Sequence, residues 1–351
     1  MSLSDLIFHH RDFLDKYDCS RYNVDIIPLV ERQNIPVGTL FLSLGALCEL
    51  FYLPCLWAIY QQIKSNRFAT CYTFMFYLGV VDAIGLLDSG FLCGTVSIKG
   101  MVFCQAPITA LVTANVGLFG WFSANTTTLI LAINRCMVIY DDDLADRLFK
   151  GRRGTLWLII PITVGLVGMF VSPPVFYNPM DSSALFNPHR HYLPDEPFVH
   201  GTANLIYNWL IVIAIPTIYV IFAVCLANRL RSRGMLDIRG SRKLAKDLST
   251  FLQVLMTSIF VMSTSIGFIY QEYLVSHPIF VYVAYIIYQG SPAFIYLCMN
   301  QSIRNTLLAK AGKVHQSTNF AASNVISTRE QSTRQNIREQ KRASVLISEN
   351  N

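Results

Sequence analysis

Seven long, mostly apolar runs separated by polar clusters limit this chain more than any other feature: 36–60, 70–94, 105–134, 154–176, 203–227, 248–271 and 279–299. A hydrocarbon core about 30 Å thick takes about 20 helical residues at 1.5 Å rise each, so every run is long enough to cross a bilayer. Barrel strands would alternate in segments of about ten residues, half the length seen here. Lipid offers no hydrogen bonds to a backbone, which leaves helices. Composition agrees, because 53% hydrophobic and 14% charged residues leave too little polar surface for a soluble chain of 351 residues.

The basic residues orient the bundle. The N-terminal segment and the second, fourth and sixth loops hold 6 of the 28 Lys and Arg, and the other loops with the C-terminal tail hold 22. Basic residues are retained on the inner side, so the N-terminus is expected outside and the tail in the cytosol. The net charge of +6 therefore belongs to a lipid bilayer surface and does not indicate nucleic acid.

The expected fold is an all-α membrane protein, a seven-transmembrane helix bundle over 35–310 behind an extracellular N-terminal segment, 1–34. That segment carries six acids and no apolar signal core, so the first helix is expected to insert itself. Ile303, Leu307 and Leu308 recur at helical spacing among basic neighbours, which suggests a short amphipathic helix over 300–312 on the inner membrane surface. The tail 313–351, rich in Ser, Thr, Asn and Gln, reads as a disordered cytosolic tail.

Side chains that lipid would not tolerate mark the interior. Glu49, Asp82 and Asp88 fall inside the first two runs, and the third carries Thr109, Thr113, Asn115, Ser123, Asn125, three further threonines and Asn134 before Arg135. Such a helix is expected at the bundle centre. Arg135 is expected to end it. No HExxH, paired catalytic carboxylates or nucleophile elbow points to an enzyme. Nine cysteines without CxxC spacing, and three histidines (His189, His191, His200) in a Pro-rich loop, give no reason to expect a metal or a cofactor.

Seven helices, an outward N-terminus, an acid in the second helix, an NR motif closing the third and a basic fifth loop resemble the G-protein-coupled receptors. GALCELFYLPCL (45–56), LGVVDAIGL (78–86), IKGMVFCQAP (98–107), LILAINRC (129–136) and FVSPPVFYNP (170–179) are similar, more narrowly, to the nematode serpentine receptors of class T, a family of candidate chemoreceptors. The resemblance covers about 17–310. It implies a plasma-membrane receptor, in the cilium of a sensory neuron, that takes an extracellular small molecule and engages a heterotrimeric G protein. By position, Asp82, Arg135 and Pro216 match the family's acid, arginine and fifth-helix proline, and Pro292 with Tyr296 stands near its seventh-helix pattern. Asn134 replaces the usual acid before the arginine, so Asp247 is the expected substitute partner of Arg135. Arg135, Arg231, Arg233, Arg242, Lys243 and Lys246 would face the G protein. The resemblance also implies an outer disulfide at Cys104; the second outer loop has no cysteine, so Cys19 is the expected partner and Cys93 the alternative.

Depth along the runs then nominates Asp88, Thr109, Thr113, Asn115, Tyr207, Tyr270 and Tyr285 as lining a ligand site. The competing reading, a ligand-gated channel or transporter, would call for internal repeats with broken helices in matching halves, and none is visible.

Overall fold

The computed structural model describes residues 2–65, 70–193, 201–233, 238–271 and 278–310. Seven helices in them are long and apolar enough to cross a membrane. α1 is Ile35–Ser65. α2 starts as Thr70–Leu86, passes through a π-helical turn at Leu87–Leu92 and ends with Cys93–Lys99. α3 is Pro107–Tyr140 and α4 is Ile159–Val171, preceded by the short helix Arg152–Leu156. α5 is Thr202–Arg233, α6 is Ile238–Tyr270 and α7 is Pro278–Met299.

Several ends differ from the apolar runs for local reasons. α3 continues five residues past Arg135 to Tyr140, so the arginine lies inside the helix and does not close it. α4 stops at Val171 because Ser172 precedes the pair Pro173-Pro174, and the residue before a proline is pushed out of the helical region. α5 and α6 run on into the basic fifth loop, which carries Arg231 and Arg233 on α5 and Arg242, Lys243, Lys246 and Asp247 on α6. The side chains of those six lie outside the described residues, as does the tail 311–351.

α3 is the central helix. It packs against α2, α4, α5 and α6, and 67% of its apolar 18-residue stretch is buried against 22% of the corresponding stretch in α4 and α5. Its polar side chains are satisfied in two ways. Thr126, Thr127 and Thr128 donate to carbonyls four residues back in α3 itself. Others reach neighbouring helices: Trp121 Nε1 donates to Asn208 Oδ1 on α5 (2.9 Å), and the Tyr288 hydroxyl on α7 donates to Asn125 Oδ1 (2.9 Å). Ser123 Oγ lies 2.6 Å from the Tyr77 hydroxyl on α2.

α1 and α2 meet along a glycine seam. A Cβ on Gly90 would sit 2.8 Å from Gly45 Cα, and one on Gly38 would sit 2.5 Å from the Gly94 carbonyl oxygen. Without side chains there, the two backbones come into direct contact, the arrangement that membrane helices use in place of a hydrophobic driving force.

One end of the bundle carries a built cap. Short helices Leu3–Phe8 and His10–Lys16 bring Phe13 and Tyr17 onto Phe103 and Phe176 in a buried aromatic cluster. The disulfide Cys19–Cys104 ties this segment to the start of α3, with Cα atoms 5.4 Å apart. Cys93, the alternative partner, is a free, buried thiol. Buried Arg32 donates to the carbonyls of Ile27 and Gly100 and pairs with Asp25 at 3.4 Å. Between α4 and α5 a hairpin, β1 (Phe176–Asn178) with β2 (Ser183–Leu185), joins the same cap. At the opposite end, the helix Asp142–Phe149 docks through Phe149, whose ring stacks on Trp157 and whose carbonyl accepts from the Thr70 hydroxyl.

The chain divides into two compact units, Met1–Ile303 and Arg304–Asn351. The first holds the bundle, and the described part of the second, 304–310, is helical.

Candidate ligand cavity

A cavity of about 370 Å³ opens between α2, α3, α5, α6 and α7, directly beneath the cap. Pockets of about 300 to 1,000 Å³ lined by apolar and aromatic groups with a few placed polar ones are the usual form of a small-molecule site. β1 and β2 supply its roof through Phe176, Tyr177, Ala184 and Leu185. The roof is held on both sides. The Tyr177 hydroxyl and Ser97 Oγ on α2 lie within hydrogen-bonding distance. Gln271, just after α6, donates to Ser183 Oγ and to the Ala184 carbonyl (3.1 and 2.9 Å).

Asp88 sits in the π-helical turn of α2, where the widened turn rotates the next side chains relative to a regular helix. It lines the cavity, and its Oδ1 is buried with no hydrogen-bond partner among the described residues. Such a carboxylate oxygen costs free energy until something donates to it. Trp121, Tyr282, Tyr285 and Phe268 also line the cavity; Trp121 packs edge-to-face on Phe268 (5.1 Å) and against Tyr285 (5.8 Å).

Of the residues nominated by depth, Asp88, Thr109, Thr113 and Tyr285 are in the wall. Asn115, Tyr207 and Tyr270 are not. Asn115 donates to the carbonyl of Leu111 within α3, and the Tyr207 hydroxyl donates to the Phe122 carbonyl, holding α5 to α3. Tyr270, the last residue of α6, is 47% exposed. Depth gives height in the bilayer but not direction around the helix, hence these three. Trp121, Tyr282, Gln271 and the hairpin went unread in the sequence; period-3.6 phasing of α3 from Thr113 and Gly117 would have found Trp121.

Beneath the large cavity lies a smaller one, about 100 Å³, that shares Asp88, Gly117, Trp121 and Tyr285 with it and adds Asp82 and Gln289. Asp82 is 2% exposed and accepts a hydrogen bond from the Tyr52 hydroxyl at 2.9 Å. Ser89 donates to Gln289 Oε1 (2.6 Å), which ties α2 to α7 at this level. In α7, Pro292 has no N–H for the Tyr288 carbonyl four residues back, and the Ser291 hydroxyl donates to that carbonyl instead (2.8 Å). Tyr296 is buried one turn further on.

Near the other end of α3, the Arg135 guanidinium donates through Nε and Nη2 to Asn134 Oδ1. The position that lost its acid thus still holds the arginine, by a neutral acceptor. A charged acceptor would hold it about twice as strongly.

His189 is fully buried in the cap, with Nε2 2.9 Å from the Lys16 carbonyl and Nδ1 2.8 Å from the Tyr22 hydroxyl. A carbonyl only accepts, so Nε2 carries the proton. His191 meets Asp181 at 3.0 Å, and His200 lies outside the described residues. Burial raises the Tyr17 phenol above its ordinary pKa, and the Ser20 amide and hydroxyl hold the Asp18 carboxyl below its own.

No curated protein matches this sequence. The family described as serpentine type 7TM GPCR chemoreceptor Srt matches residues 1–319. With seven helices fit to cross a bilayer around a capped cavity, the chain is a multi-pass membrane protein and belongs to the Srt family of serpentine seven-transmembrane chemoreceptors.

Proposed function

We propose that this protein is a chemosensory receptor of the plasma membrane, in a sensory-neuron cilium, with its N-terminus outside. An extracellular small molecule occupies the cavity beneath the cap and shifts an existing equilibrium toward a form open at the cytosolic end. The observation that carries this reading is the Asp88 oxygen, unpaired among the described residues, in a cavity under a disulfide-tied cap.

Asp82, Pro292 and Tyr296 lie between that cavity and Arg135 along the bundle and form the proposed switch. The hold of Asn134 on Arg135 is weak enough to be exchanged, and Asp247 on α6 is the proposed alternative partner. Arg135 with Arg231, Arg233, Arg242, Lys243 and Lys246 forms the face offered to a heterotrimeric G protein. The amphipathic helix expected over 300–312 and the tail expected over 313–351 extend into residues that lie outside the described ones.

The test is a ligand screen in a heterologous cell with a G-protein signalling readout, repeated on Arg135→Ala and Asp82→Asn at matched surface expression. Ligand-dependent signals that fall in both variants support the reading. Ligand-gated currents that persist with G proteins blocked would replace it with a channel.

A further inference from the structure

We infer that the cavity takes a protonated amine, with the ammonium on Asp88 and an apolar body among the aromatic rings. This rests on the reading of the cavity as the ligand site and names the class of ligand.

The walls around Asp88 decide the charge. Its Oδ1 is buried and unpaired among the described residues, while Oδ2 faces Gly117 of α3, 3.5 Å from where a Cβ there would stand. The missing side chain at Gly117 leaves space in front of the carboxylate. Asp82, the other acid that lines these cavities, already has the Tyr52 hydroxyl, and as a like charge it cannot compensate Asp88. The cation in the lining is Lys99, which is exposed and stands eleven residues along α2, about 16 Å away at helical rise. At that distance solvent screens it. A buried carboxylate without a local countercharge is stabilised most by a ligand that brings one.

An inorganic cation fits less well. No cluster of three metal-ligating side chains occurs among the described residues, and hard cations need several oxygens. An ammonium needs one carboxylate and gains from ring faces within about 6 Å. Trp121, Phe268, Tyr282 and Tyr285 offer them, and the Trp121 indole is fixed by its bond to Asn208. A dry cavity of about 150 Å³ holds one benzene, so about 370 Å³ suits an amine with on the order of twelve to fifteen non-hydrogen atoms. On α5, Asn204 presents to the same cavity a second buried oxygen that is unpaired among the described residues, an anchor for a donor at the far end of the ligand.

The experiment uses the full-length receptor in lipid nanodiscs, read by thermal unfolding against concentration. The probes are primary amines with phenyl, cyclohexyl and linear alkyl tails, each beside its neutral alcohol. At least one amine is expected to raise Tm where its alcohol does not, and its apparent Kd is expected to rise about 10- to 100-fold in Asp88→Asn. Asp88→Glu keeps the charge and should keep the preference for amine over alcohol. If Asp88→Asn does not fold, the preference in the unsubstituted receptor decides alone. Alcohols that bind as tightly as amines, an unchanged Kd in Asp88→Asn, or no amine that binds would each overturn the inference. Because no G protein is present, alcohol binding overturns the amine and leaves the receptor reading in place.

Discussion

Cutting the Cys19–Cys104 bond should release the cap and leave the bundle folded, and the size of the effect depends on which chain the bond closes. The two cysteines are 85 residues apart. A free loop of that length would make the bond worth about 4.6 kcal/mol in chain entropy. However, α1 and α2 lie within that loop, and their glycine seam keeps them paired in the bilayer when the cap opens. The length actually freed is then the stretch from Cys19 to the start of α1, about 15 residues, for which the same relation gives about 3 kcal/mol. That is roughly 100-fold in the opening equilibrium. Hydrogen exchange on the full-length protein in nanodiscs, with and without the double substitution Cys19→Ser/Cys104→Ser, measures it directly. Amides between Phe13 and Gln33 should exchange about 100-fold faster, with those of α3 and α7 unchanged. Unchanged exchange would mean that the aromatic cluster alone holds the cap. Loss of protection throughout the bundle would mean that the cap is not a separate unit.

Other substitutions test the interior. Ser291→Ala leaves the Tyr288 carbonyl without its donor and should cost about 0.6 to 1.7 kcal/mol, read as a lower Tm. Gly90→Val drives a side chain into the backbone of Gly45 and should cost about 1 to 3 kcal/mol, seen as reduced yield and a lower Tm, whereas the same change at Gly120, where a Cβ would have 3.7 Å to Val81, should be milder. Asp88→Asn removes an unpaired buried charge and should raise the Tm of the ligand-free protein. The Asp18 carboxyl is held below its ordinary pKa by Ser20, so its contribution to the cap is present above about pH 4 and lost as pH falls through the folded value; exchange at Ser20 against pH reads it.

The bundle was legible because lipid leaves so few choices: a run of the right length must be a helix, and a helix as polar as α3 must be central. The Cys19–Cys104 pair came from the resemblance and the absence of a cysteine in the second outer loop, not from any local signal. What stayed hidden depends on rotation and on non-local pairing. The π-helical turn at Leu87–Leu92 has no sequence signature, yet it sets the aim of Asp88. The hairpin Phe176–Leu185 is only two three-residue strands, too short for alternation to show. His189 read as one of three loop histidines, and its partners Lys16 and Tyr22 lie more than 160 residues away. The seam of Gly38, Gly45, Gly90 and Gly94 could have been read from small residues at helical spacing.

The central claim is that the cavity under the cap is where an external molecule controls the cytosolic end. Gly117 lies in the cavity wall opposite Asp88, so Gly117→Leu fills the space between them and leaves Arg135 untouched. Guanine-nucleotide exchange on purified heterotrimeric G protein, driven by an active ligand from the screen, should be lost or strongly weakened in Gly117→Leu while the variant unfolds at an unchanged temperature. A response as strong as that of the unsubstituted receptor would contradict the claim.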